Sequence, residues 1–234
     1  MRVSRRFAVL VAALAMSAAT LTACLPQTWV GWQYTPVRGY SELSPEQLGA
    51  YVAYVYWING GTVNGGCGYR ATVHAGPLAR LYVDEGNVQY IRGDIAFAQA
   101  ILETGWFSFC NSSVHPSWNN FAGIGATGSA SATPGKFATA THGVRAQIQR
   151  LNRYANIAGA DSLAKPLVPQ RGWSNAHEYN NWWPGVQGTR TIWQSLTGVW
   201  ATSPCYDTHV LRIYNQMRTH YGLAAMPVQA KPGC

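Results

Sequence analysis

Glu103 is the acidic residue whose position best suits chemistry. The apolar pattern that follows Asp94 predicts a helix ending at Gly105, which puts Glu103 in its last turn. The helix dipole disfavours a carboxylate there, and the aromatic residues at 106–109 (WFSF) would exclude water from it. Both effects raise a carboxyl pKa, as a general acid near neutral pH requires. We therefore predict a general acid; the alternative is a surface glutamate at a frayed helix end.

The other acidic residues suggest few partners for Glu103. The chain has nine Asp and Glu residues. Six of them are predicted to lie at helix starts, on a solvated helix face or at caps: Glu42, Glu46, Asp84, Glu85, Asp94 and Asp207. No acid occurs from Thr104 to Ala160. A second catalytic carboxylate would therefore be Asp161 or Glu178, or would not exist.

Helix signals predict a single, mainly helical domain that positions these residues. Ser44 and Gln47 have capping-box spacing, and Pro45 favours a first helical turn. The predicted helices cover 44–59, 78–90, 94–105, 142–158 and 207–221. Between them, 110–137 and 166–183 are rich in loop residues. The chain shows no internal repeat and no second domain boundary.

The N-terminus predicts export. Three arginines precede an apolar run over Phe7–Ala19, which is too short for a membrane span of about 20 residues. The segment Leu21–Cys24 follows this run and resembles a lipobox, with Cys24 as the acylated residue. The alternative is ordinary cleavage near Ala23. We predict a lipoprotein signal peptide over 1–23, a tether over 24–43 and a folded domain over 44–234, either anchored to the membrane or secreted to the wall.

Composition narrows the range of partners. Lys and Arg number 17, and 14 remain if the three N-terminal arginines are removed, against nine acids. Nucleic acid is a poor partner for an exported chain, whereas an anionic cell envelope attracts a basic surface. Only 11% of the residues are charged, which argues against a coiled coil. We expect a monomer.

Four cysteines remain after Cys24, and an even number in an exported protein predicts two disulfides. Sequence proximity favours Cys67 with Cys110 and Cys205 with Cys234, although the other pairings stay open. No Cys-x-x-Cys spacing or zinc-protease motif is present, so we expect neither a metal nor a cofactor.

Four segments resemble those of one enzyme family, in the same order. They are 98–106 (AQAILETGW), 119–125 (NNFAGIG), 143–151 (GVRAQIQRL) and 200–206 (WATSPCY). The chain in this respect resembles the bacterial peptidoglycan glucosaminidases of glycoside hydrolase family 73. The resemblance implies a lysozyme-like, mainly α (α+β) fold with a small irregular or β lobe. It also implies cleavage of the β-1,4 bond after N-acetylglucosamine in peptidoglycan strands, with Glu103 as general acid.

The resemblance leaves the mechanism open, because enzymes of this family often have a second acid where this chain is neutral. The acetamido group of the substrate would supply a one-carboxylate route. A lytic transglycosylase and a wall-binding lipoprotein without activity are the two rival functions. His142 is interpreted as a helix cap rather than a base.

Aromatic and amide groups near these segments are predicted to bind the glycan. The candidates are Trp106, Phe107, Asn119, Asn120 and Phe121. Trp173, Trp182 and Trp183 are weaker candidates, since most tryptophans in a chain with 10 of them belong to the core.

Overall fold

The structure is a computed structural model, and it describes residues 34–126, 129, 132–228 and 231–234. The predictions of a signal peptide over 1–23 and of acylation at Cys24 lie outside the described residues. No helix in the described ranges is both long enough and apolar enough to cross a membrane.

The described chain is mainly helical, as predicted. The six α-helices are α1 (Pro45–Ile58), α2 (Ala75–Gln89), α3 (Gly93–Thr104), α4 (Ala140–Ala155), α5 (Ala176–Asn181) and α6 (Tyr206–His220). Short 3₁₀ turns cover Pro116–Trp118, Ala160–Ser162 and Trp193–Leu196. Extended pairing in these ranges consists of isolated bridges, such as Pro36–Ile192 and Arg38–Ile91. The second half of the predicted tether, with Val37 and Leu43 buried, thus packs as part of the domain.

Local capping signals explain where the helices begin and end. The predicted capping box of α1 is confirmed: Ser44 Oγ accepts the Gln47 N–H at 3.2 Å, and Gln47 Oε1 accepts the Ser44 N–H at 2.9 Å. Helix α3 ends at Gly105, as predicted, because its left-handed φ of 56° suits glycine. Helix α4 begins two residues earlier than predicted, with Thr139 as its N-cap.

Helix α3 lies at the centre of the fold and carries Glu103 in its last turn. Every residue from Gly93 to Ile101 is buried. Helices α1, α2, α4 and α6 all pack against it, and its alanines let these neighbours approach closely. Glu103 and Leu102 are only partly buried. The central helix therefore presents its last turn at the edge of the core.

Asp94 is a buried ion-pair centre, which corrects its prediction as a simple cap. Its carboxylate accepts hydrogen bonds from Arg92 at 2.9 and 3.0 Å, from the Tyr214 hydroxyl at 2.6 Å and from the Glu42 N–H at 2.8 Å. These contacts join α3 to α6 and to the segment before α1. A buried carboxylate needs such partners because desolvation penalises its charge.

Two other acids also differ from their predicted roles. Glu85 lies in an interface instead of on a solvated face, and it forms a bidentate pair with Arg145 of α4 at 2.8 and 2.9 Å. Asp207 is buried beside Lys231 and Thr197. The spacing of polar and apolar residues within one helix does not reveal these ion-pair partners, because the partners belong to distant segments.

Both favoured disulfides are present. Cys67–Cys110 joins the segment after α1 to the turn after α3, and Cys205–Cys234 joins the start of α6 to the C-terminal segment. The second disulfide is adjacent in sequence to Tyr206.

Candidate active site

The side chain of Glu103 lines a cleft with a volume of about 560 Å³. The cleft lies between the end of α3, the segment after Cys110, the loop at 122–126 and the segment before α6. Its described lining consists of Glu103, Asn111, Ser112, Ser113, Val114, Ala122, Gly123, Ala126, Trp200, Ala201 and Thr202. The lining is rich in small and hydroxyl-bearing residues, so it leaves room for a polar ligand beside the carboxyl group.

The Glu103 carboxyl group lies between the Tyr206 hydroxyl and the backbone of Gly123. Its Oε1 accepts a hydrogen bond from the Tyr206 hydroxyl at 2.6 Å. A Cβ at Gly123 would lie only 3.1 Å from its Oε2. Burial raises the pKa of Glu103 from 4.5 to about 7, and hydrogen bonds from Tyr206 and the Trp200 side chain oppose this rise. The carboxyl group therefore exchanges its proton near neutral pH.

A buried chain of hydrogen bonds determines the direction of the Tyr206 hydroxyl. Tyr82 donates to Gln147 Oε1 at 2.5 Å, and Gln147 Nε2 donates to Gln99 Oε1 at 2.8 Å. Gln99 Nε2 then donates to the Tyr206 oxygen at 2.7 Å. Because that oxygen already accepts a hydrogen bond, its own proton is free to point at Glu103. The chain links α2, α4, α3 and α6 at the site.

The loop opposite Glu103 is shaped by Asn120. Its amide donates to the carbonyls of Ile124 and Gly135 at 2.9 and 3.0 Å and accepts the Ile124 N–H at 2.9 Å. These bonds close the turn that contains Gly123, whose φ of 61° is left-handed. A glycine at this point brings backbone close to the carboxyl group without a steric clash.

None of the five residues predicted to bind the glycan lines this cleft. Phe107, Asn119, Asn120 and Phe121 are buried. Trp106 is partly buried, with its carbonyl accepting a hydrogen bond from Tyr56 at 2.7 Å. Their contact with substrate stays a prediction; the structure shows them supporting the loop and the turn that surround Glu103. Aromatic type alone does not distinguish a ring in the core from a ring in a cleft.

Glu103 is the sole carboxylate along the cleft, and all nine acids lie in the described residues. Asp161 is exposed in a 3₁₀ turn. Glu178 accepts hydrogen bonds from Ser174 near the start of α5. Asp84 is exposed on α2, and the rest are paired with arginine or lysine. No second carboxylate of the described residues therefore lines the cleft beside Glu103.

His142 lies in the first turn of α4, but the N-cap is Thr139, so the interpretation of His142 as the cap is wrong. Its backbone N–H donates to Thr139 Oγ1 at 3.2 Å, and its exposed ring lies 2.9 Å from the same oxygen. In the described ranges, no three His, Cys, Asp or Glu side chains are grouped in a way that could hold a metal ion.

Tyr206 and Trp200 are site residues to which the sequence analysis assigned no role. Both belong to the 200–206 segment, one of the four that carry the family resemblance. The position of this segment, last of the four in chain order, was the signal in the sequence that could have pointed to these two residues. The 103-residue separation between Tyr206 and Glu103 hides their contact from any local pattern.

Comparisons with known proteins found a matching family model and a relative. The family model described as Glucosaminidase, mannosyl-glycoprotein endo-beta-N-acetylglucosaminidase, matches residues 79–219, more than half of the chain. An uncharacterized protein of Borreliella burgdorferi is 32% identical over 137 residues, which are 58% of this chain and 59% of that protein. The similarity thus spans less than two thirds of that relative. No solved structure matches the chain.

Proposed function

The chain belongs to the glucosaminidase family, and from this membership we propose that it hydrolyses peptidoglycan at the β-1,4 bond after N-acetylglucosamine. The observation that carries the proposal is the Glu103 carboxyl group, which has a pKa of about 7 and lies in a cleft large enough for a sugar. Glu103 is the proposed general acid, and its proton goes to the oxygen of the leaving sugar.

The contacts of the carboxyl group support this direction of proton transfer. Oε1 accepts from Tyr206, so the transferable proton belongs on Oε2, the oxygen near Gly123. With a pKa raised to about 7, the carboxyl group can still hold that proton near neutral pH, where an ordinary glutamate would have lost it. After transfer, the Tyr206 hydroxyl is in place to stabilise the new carboxylate.

The lack of a second carboxylate supports participation of the substrate. Paired-carboxylate glycosidases place the second acid about 5 to 9.5 Å from the first. Because Glu103 alone lines the described cleft, we propose that the acetamido oxygen of the substrate attacks the anomeric carbon while Glu103 protonates the leaving oxygen. Water then opens the cyclic intermediate, with Glu103 accepting the proton of that water.

The proposed substrate agrees with the proposed compartment. A signal peptide and acylation at Cys24 would place the domain outside the cytoplasm, next to the wall. The excess of basic residues favours attraction to peptide-stem carboxylates and wall polyanions.

The test is a peptidoglycan zymogram followed by mass spectrometry of the soluble products. Wild type is expected to clear the gel and to release fragments ending in reducing N-acetylglucosamine. Glu103→Gln should abolish clearing while retaining binding to peptidoglycan. Glu178→Gln, at an exposed carboxylate outside the cleft, is the matched control and should clear like wild type.

Each rival function has its own outcome. An anhydromuramyl end on the products would instead identify a lytic transglycosylase. Binding without clearing by the wild type would identify a wall-binding protein. Clearing by Glu103→Gln at the wild-type rate would refute the assignment of the general acid.

A further inference from the structure

A second depression, of about 410 Å³, adjoins the cleft of Glu103. The two share Ala122, Gly123, Ala126 and Trp200 in their lining. They therefore form one groove, in which Glu103 lies to one side of Gly123. We call the other half the aromatic arm. It is lined by Ile124, Gly125, Arg150, Tyr154, Arg171, Gly172, Trp182, Trp183 and Val199 as well as by the shared residues.

Four rings of the aromatic arm pack against one another. The Tyr154 ring centre lies 5.3 Å from that of Trp182 and 5.9 Å from that of Trp200. Trp183 lies 5.9 Å from Trp182 and is 47% exposed. Tyr154 is buried and supports the three tryptophans, which reach solvent at least in part. Rings that are held in this way and are still accessible are suited to contact with the apolar face of a sugar.

The aromatic arm also contains two guanidinium groups. Arg150 lies over the rings of Trp173 and Trp182, at 4.9 and 4.6 Å from their centres, and donates to Gln170 Oε1 at 2.7 Å. Arg150 also donates to the Arg171 carbonyl, and Arg171 Nη1 lies 3.4 Å from the Gly125 carbonyl. Neutral groups and rings thus hold both side chains in place.

No carboxylate balances these two charges. None of the ion pairs among the described residues involves Arg150 or Arg171, and no acid lines the aromatic arm. Burial lowers the pKa of Arg150, the Tyr154 side chain opposes this shift, and the neighbouring charge of Arg171 adds to it. A partly buried cation in this state gains from an anionic ligand.

From the groove and its unpaired cations we infer that the aromatic arm is a subsite for a sugar that carries a carboxylate, namely a muramyl residue with its peptide stem. The inference deepens the proposed function and rests on it. A muramyl peptide presents a sugar face and a carboxylate in one ligand. Rings and guanidinium groups in one depression match both parts, and arginine binds carboxylates through paired hydrogen bonds.

The test measures binding, so it does not require hydrolysis. The protein is titrated with muramyl dipeptide, whose stem ends in a carboxylate, and with the same compound amidated at that carboxylate. Tryptophan fluorescence reports occupancy because three tryptophans line the aromatic arm. Wild type should bind the carboxylate form about tenfold more tightly, and Arg171→Gln should remove that preference. Arg212→Gln, at an exposed position of α6 outside the groove, should keep it.

Several outcomes would overturn the inference. They are equal affinity of wild type for the two forms, no binding of either form, and a preference that persists in Arg171→Gln. Stronger competition by inorganic phosphate than by acetate would instead identify a wall polyanion as the ligand. Loss of hydrolysis in the zymogram alone would refute the proposed function and leave the binding result standing, so the two failures are distinguishable.

Discussion

Replacing Glu103 with glutamine should make the protein more stable than wild type at alkaline pH. The pKa of this carboxyl group is about 7 in the folded protein and has an ordinary value of 4.5. Below pH 4.5 the Glu103 carboxyl group is protonated in both the folded and the unfolded protein, so it does not lower the free energy of unfolding. Between pH 4.5 and 7 the unfolded chain releases this proton while burial keeps it on the folded protein, so stability falls across that interval. The loss levels off above pH 7, where the folded protein holds the charged carboxylate in a desolvated position. Glutamine has nearly the same side-chain shape as glutamate but carries no charge, so the variant does not lose stability in this way.

The size of the effect follows from the two pKa values. Each pKa unit corresponds to about 1.4 kcal/mol, so the wild type loses about 1 kcal/mol by pH 5 and about 3 kcal/mol by pH 8 relative to its fully protonated form. The stability advantage of Glu103→Gln over wild type should therefore grow by about 2 kcal/mol between pH 5 and pH 8.

Urea denaturation followed by tryptophan fluorescence at both pH values measures this difference. Glu178→Gln is the control, because hydrogen bonds from Ser174 lower the pKa of Glu178 and its removal cannot produce a gain that rises with pH. An advantage of Glu103→Gln that stayed constant or shrank from pH 5 to pH 8 would show that Glu103 titrates like an exposed carboxyl group, which would refute the reasoning.

Two further changes test how the carboxyl group is held. Tyr206→Phe removes a hydrogen bond that lowers the pKa of Glu103, so the alkaline limb of the pH–rate profile should move up by about 1 to 2 units while kcat falls. An unmoved limb would contradict the assignment. Gly123→Ala places a Cβ 3.1 Å from Glu103 Oε2 at a left-handed φ, so it should cost about 1 kcal/mol in unfolding free energy and lower activity further by displacing the carboxyl group. Gly222→Ala is the control, because Gly222 also has a positive φ but has open space around the added Cβ. It should lose stability without losing activity. Equal activity of the two variants would exclude a contact between the Cβ at position 123 and Glu103.

Local signals in the sequence predicted five of the six α-helices and the position of Glu103, whereas α5 lies in a stretch predicted to be loop-rich. Ser44 and Gln47 mark the start of α1, and Gly105 marks the end of α3, because capping depends on residues within one turn. The helix dipole and the aromatic residues after Glu103 indicated the correct direction of its pKa shift. The desolvation itself comes from a different arrangement, since Phe107 and Phe109 lie in the core and Tyr206, Trp200 and Gly123 surround the carboxyl group.

Partners from distant segments were decided only by the tertiary structure. Asp94 and Glu85 have the spacing of surface or cap residues, yet arginines bury them in interfaces. Asn120 has the chemistry of a sugar ligand, yet its amide closes a loop. Residue type and spacing thus determined that this chain contains a central helix ending in a perturbed acid. Packing over separations of a hundred residues decided what surrounds that acid, because burial and pairing depend on which segments meet in space.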